Sequence, residues 1–118
     1  MKIDFLLAFS FLSVELSFLF VALLMLLFPQ KSINSLAGYR TERSMQNQQA
    51  WDFAQRYSIM LIFKYYLSML ACKILLLCLF NVPVPILVFG IFTGLIPMGL
   101  VFWKTEKALY QRFPKEKP

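Results

Sequence analysis

Histidine is absent from this sequence. That removes the usual general base at neutral pH and the commonest metal ligand. Two cysteines occur, Cys72 and Cys78, and both fall inside an apolar run. Six positions apart on a helix, they point to different faces and sit too far apart to bond. They read as reduced packing residues, without the spacing of a metal site. A serine or tyrosine nucleophile would have no neighbouring base to activate it. An enzyme is therefore not expected, and no cofactor or metal is implied.

Acidic residues are also scarce: six against twelve Lys and Arg, for a net charge of +6. In a soluble chain that excess would suggest nucleic acid as partner. Here another reading fits better, because 59% of residues are apolar and the mean hydropathy is +0.65. A small soluble domain cannot hide so much apolar surface. Basic residues flanking membrane spans account for the charge, so the lipid bilayer replaces nucleic acid as the expected surroundings.

Three long runs carry little charge: residues 5–28, 57–80 and 84–103. Each can cross a hydrocarbon core of ~30 Å at 1.5 Å per residue. Lipid offers the backbone no hydrogen bonds, so each run should be helical. The first carries Glu15 in its middle and no A-x-A site before Pro29, so it reads as a retained span rather than a cleaved leader. Pro83 and Pro85 suit the first turn of the third. Pro97 frees the carbonyl of Thr93 and should kink it. The expected fold is an all-α integral membrane protein, a single membrane domain over residues 1–118. It has three transmembrane helices, a loop over 29–56 and a tail over 104–118.

Charge sets the expected direction. Lys31, Arg40, Arg43 and Arg56 lie in the loop, and Lys104, Lys107, Arg112, Lys115 and Lys117 in the tail. The turn Asn81-Val82-Pro83 is uncharged, and the N-terminus offers Lys2 offset by Asp4. The positive-inside rule then puts the N-terminus outside and the loop and C-terminus in the cytoplasm. Residues 41–56 lack Pro and Gly and are rich in helix formers. A helix is expected to start near Thr41 to Ser44 and to lie along the interface or run into the second span. Trp51 suits a headgroup-level anchor on it, and Gly38 a tight turn before it.

Glu15 is the sharpest single feature. An ionisable group near the midplane costs at least ~2.5 kcal/mol, so it should face the interior and be paired or protonated. Ala8, Glu15 and Ala22 are seven apart and share a face of the first helix. Lys73 is the natural partner: counted from the loop end, it lies about 24 Å deep and Glu15 about 20 Å. Snorkelling of Lys73 to the outer headgroups is the alternative. In the third span, Gly90 and Gly94 form a G-x-x-x-G that permits close helix approach, within the chain or between copies in a homo-oligomer.

Asn34, Gly38, Tyr39, Arg40, Thr41, Ser44, Asn47 and Trp51 stand in a spacing that resembles the signature of the SdpI/YfhL family of bacterial membrane proteins. About 20 residues carry the resemblance, between two spans as in that family. Its best-known member is an immunity protein that protects a Gram-positive cell from its own secreted antimicrobial peptide. That member also helps hold a transcriptional repressor at the membrane. This chain is similar to its signature half, without its additional spans, which weighs against the repressor role. The resemblance thus implies a bacterial cell-membrane protein giving immunity or resistance to a membrane-active peptide, with a peptide toxin or a membrane protein as partner. Arg40 and Arg43 can grip a phosphate or carboxylate in two-pronged fashion. Tyr39 and Trp51 have rings suited to that depth, and Asn34 can brace the turn at Gly38. These residues equally suit a purely structural role, fixing the loop to the helix ends. Two other functions stay open: an accessory or signalling subunit whose basic loop binds a protein or lipid, and a small proton-coupled transporter using Glu15.

Overall fold

The computed structural model describes residues 5–114. Lys2, Asp4, Lys115 and Lys117 lie outside them. Four helices follow in order: α1 Phe5–Leu27, α2 Gln48–Leu79, α3 Val84–Thr93 and α4 Ile96–Arg112. No strand occurs among the described residues. The last two helices form one interrupted span, so three helical segments are long and apolar enough to cross a membrane. The body is a rod of 61 × 25 × 19 Å.

α2 differs from its expected bounds. It begins at Gln48 and runs unbroken to Leu79, so the loop helix and the second span are one helix of 32 residues. At 1.5 Å per residue it is about 48 Å long, so its first turns project beyond a core of ~30 Å. No continuous helix runs on from Thr41 to Ser44, although those two residues exchange hydrogen bonds. Thr41 N–H donates to Ser44 Oγ at 2.8 Å, and Ser44 N–H donates to Thr41 Oγ1 at 3.2 Å. This reciprocal pair has the form of a capping box, and Met45 N–H donates to Thr41 O at 3.0 Å, but the chain makes one turn only before α2. The helix starts where Asn47 accepts the Ala50 N–H at 2.7 Å, an N-cap that supplies one of the unpaired first-turn donors with an acceptor.

The third span breaks where Pro97 removes a donor. Gly94 N–H falls back to Ile91 O at 3.3 Å and Leu95 N–H to Phe92 O at 3.1 Å. The break changes the neighbour: α3 packs against α1, and α4 packs against α2, while α1 and α2 lie together. α4 continues to Arg112, nine residues past the expected end at 103, because Lys104 to Arg112 are good helix formers that extend the span beyond the apolar run.

Three apolar layers fill the rod. Phe11, Val82 and Leu87 form one near the α2–α3 turn, Ala22, Leu61, Ile62, Tyr66 and Val101 the middle one, and Ala50, Ala54 and Leu109 one at the loop end. The outer faces are also apolar: Phe9, Phe20, Phe89 and Phe92 are among the exposed large side chains. Such a surface fits lipid, not water. Hydroxyls on these faces bond to their own helix, as Ser10 to Leu6 O at 2.8 Å and Ser17 to Ser13 O at 2.7 Å. Cys72 and Cys78 are free, and both are exposed rather than packed. A small apolar thiol is at ease on a lipid-facing surface, so burial was not required.

Candidate functional site

Two constellations of polar side chains occur, one inside the helical body and one at its loop end. The first centres on Lys73. Its Nζ lies 2.6 Å from Glu15 Oε1, and the two side chains are 8% and 0% exposed. The same ammonium donates to Phe11 O at 3.1 Å and Gly90 O at 2.7 Å. One side chain of α2 thereby joins α1 and α3. Two of its N–H donors meet backbone carbonyls, Glu15 supplies the counter-charge without an aligned hydrogen bond, and the Phe11 ring centroid lies 4.7 Å away.

The local sequence explains why those acceptors are free. The broken turn at Gly94 draws that residue's N–H away from Gly90 O, which then takes Lys73 and the Thr93 hydroxyl, the latter at 2.6 Å. Close approach needs glycine at both positions. A Cβ at Gly90 would run into the Phe11 ring, and one at Gly94 would meet Val14 Cβ at 2.7 Å and Glu15 Oε1 at 2.8 Å. Gly90 and Gly94 therefore face α1 within the chain, and this face is occupied rather than open to a second copy. Of the residues that share Glu15's face, Ala22 is fully buried and Ala8 half-buried. Tyr66, a buried side chain that hydropathy alone does not single out, donates its hydroxyl to Gly94 O at 2.7 Å.

The second constellation is the signature loop. Asn34 Oδ1 accepts the N–H groups of Leu36 and Ala37 at 3.0 and 2.9 Å, closing a turn before Gly38. Gly38 has φ 99°, and a Cβ there would meet Gln55 Oε1 at 2.5 Å. Both features require glycine. Gln55 then grips Tyr39 at two points: it accepts the Tyr39 N–H and donates to Tyr39 O, each at 2.8 Å. Tyr39 reaches across to α4, where its hydroxyl donates to Glu106 Oε1 at 2.7 Å. Burial, then the Glu106 bond and charge, push the Tyr39 phenol above its ordinary range, so it stays a donor. Arg43 Nε lies 3.7 Å from Glu106 Oε2, and its guanidinium sits 4.7 Å over the Tyr110 ring. Arg40 donates to Ser35 O and is exposed.

Trp51 is not a headgroup-level anchor. It is fully buried, and its Nε1–H donates to Gln30 O at 2.7 Å, pinning the exit of α1 to α2. Asn47 caps α2, and Thr41 and Ser44 close the turn before it. Thus the structure draws Asn34, Gly38, Tyr39, Thr41, Arg43, Ser44, Asn47 and Trp51 into one clasp between loop, α2 and α4, and leaves Arg40 at its rim. Gln55 and Glu106 complete it. Glu106 stands between Lys104 and Lys107 in the sequence, where nothing marks it as the partner of a loop 67 positions away. Among the described residues, no group of three His, Cys, Asp or Glu could hold a metal ion.

The SdpI/YfhL protein family matches residues 30–103, which take in the loop, α2, α3 and the first part of α4 but not Glu106. YfhL of Bacillus subtilis (strain 168), an uncharacterized protein, is 58% identical over 40 residues. That stretch covers 34% of this chain and 36% of the relative, about a third of each. No solved structure matches. On the family match, this chain belongs to the SdpI/YfhL family of membrane proteins.

Proposed function

We propose that this chain gives its cell immunity or resistance to a membrane-active antimicrobial peptide, by binding that peptide within the bilayer. Membership of the SdpI/YfhL family is the observation that carries this reading. The body suits the task physically. Its helices are locked by a buried ion pair, while large side chains such as Phe89 and Phe92 stay exposed for lipid or an apolar helix to cover. The role needs no chemistry, only a rigid apolar face and a fixed depth in the membrane.

Producing the chain in a sensitive bacterium and challenging it with a panel of membrane-active peptides tests the reading. A several-fold rise in the inhibitory concentration of at least one peptide is expected. Unchanged sensitivity across the panel overturns it.

The proposed orientation keeps the N-terminus outside and the clasp and C-terminus in the cytoplasm, since nine flanking basic residues lie in the loop and tail. Single cysteines at Gln48 and Asn81, in a chain lacking Cys72 and Cys78, should react with impermeant reagents from opposite sides of the membrane. Labelling from one side would contradict the topology. The exposed Arg40 and partly exposed Arg43 support a second reading, in which the clasp binds a protein or lipid partner as part of an accessory or signalling subunit.

A further inference from the structure

Between the end of α1 and the first turns of α2 lies an open cleft of about 330 Å³. Met25 and Leu26 of α1 and Ile59 of α2 line its apolar side. Lys31, Asp52 and Arg56 line its polar side, nearer the clasp. That gradient, from aliphatic to ionic over one cleft, is the gradient of a phospholipid from its acyl chains to its headgroup.

The cleft is built rather than accidental. Trp51 holds Gln30 O at 2.7 Å, and Gln48 Nε2 donates to Lys31 O at 2.5 Å, so the backbone bearing Lys31 is tied to α2 at two points. Gln48 also donates to Asp52 Oδ1 at 2.8 Å, and Arg56 Nε donates to Asp52 O at 3.4 Å. Neither Lys31 nor Arg56 takes part in an ion pair among the described residues. Two cations against one carboxylate leave the cleft positive, which disfavours a cationic guest. A small soluble anion would leave Met25, Leu26 and Ile59 unused.

We propose that this cleft is a binding site for an anionic glycerophospholipid. Lys31 and Arg56 take the phosphate, and Met25, Leu26 and Ile59 take the first methylenes of the acyl chains. Basic pockets between membrane helices favour such headgroups, and a guanidinium meets phosphate oxygens with paired donors. A second cleft, of about 280 Å³ beside Tyr57 and Trp103, also holds two lysines. There Lys104 already lies 5.3 Å from the Tyr65 ring centroid and Lys107 5.2 Å from that of Trp103. Those cations have partners, so that cleft serves as the control. The proposal stands apart from peptide resistance and neither requires nor supports it.

The full chain, reconstituted in equimolar phosphatidylglycerol and phosphatidylcholine of matched acyl chains, is released into native mass spectrometry. The protein should retain phosphatidylglycerol several-fold over phosphatidylcholine. Lys31→Gln with Arg56→Gln should abolish the preference. Lys31→Arg with Arg56→Lys, which keeps both charges, should preserve it, as should Lys104→Gln with Lys107→Gln. Excess inorganic phosphate should not displace the lipid. The proposal is overturned by any of four results: no preference in the parent chain, a preference surviving both glutamines, equal loss in the control pair, or displacement by inorganic phosphate.

Discussion

Glu15→Leu is expected to lower the stability of the folded three-helix body by about 4 kcal/mol, and Lys73→Met by about 3 kcal/mol, within the range for breaking a buried ion pair on one side. The order follows from what each residue does when the helices separate in lipid. Lys73 lies six residues from the end of α2 at Leu79, so in a lone helix its ammonium can snorkel to the headgroups. Folding without Glu15 would therefore drag a solvated cation into a site offering two carbonyls and no counter-charge. Glu15 sits in mid-helix and has no such escape. In Lys73→Met its carboxyl is badly placed in both states, so the loss is confined to the attraction itself and to the bonds to Phe11 O and Gly90 O. Reversible unfolding in lipid bicelles, read by steric trapping, would measure both. Losses below about 1 kcal/mol would place the pair among ordinary exposed ones.

Alanine at Gly94 should cost about 2–3 kcal/mol, and at Gly90 less, within the range for overpacking a core. Removing a helical glycine gains about 1 kcal/mol in propensity, so the sign depends on the steric cost. At Gly94 the added methyl meets Val14 Cβ, an atom that moves only with the α1 backbone, and it crowds Glu15 Oε1. At Gly90 it meets the outer atoms of the Phe11 ring, which can turn. That ring is 3% exposed and faces Lys73, so the freedom is partial. Val14→Ala should rescue Gly94→Ala, and Phe11→Leu should rescue Gly90→Ala. Unfolding in bicelles checks all four. Stability unchanged or raised in Gly94→Ala would mean that α1 and α3 do not touch at this point.

The spans were legible because length and hydropathy are set by the bilayer. The break before Pro97 was legible because a missing N–H has one consequence wherever it occurs in a helix. The start of α2 was not. Residues 41–56 are rich in helix formers, and propensity does not show that the Thr41–Ser44 exchange opens one turn only before Asn47 caps α2. Trp51 misled for a related reason: an indole near a membrane surface suits a headgroup belt, whereas here its N–H finds a carbonyl from a neighbouring segment. Depth arithmetic brought Glu15 and Lys73 within side-chain reach. It held no information on the carbonyls of Phe11 and Gly90, which depend on how α3 leans on α1. Gln55 and Glu106 were hidden because a side chain's partner across 16 or 67 positions is a product of packing.

The central claim is that one ion pair, closed inside the membrane, couples α1 to α2. A double-mutant cycle over Glu15→Leu and Lys73→Met in bicelles measures that coupling directly. An interaction of about 2 kcal/mol is expected, so that the double variant loses about 5 kcal/mol where independent losses would give about 7. Additivity within about 0.5 kcal/mol would show that the two residues do not act on each other.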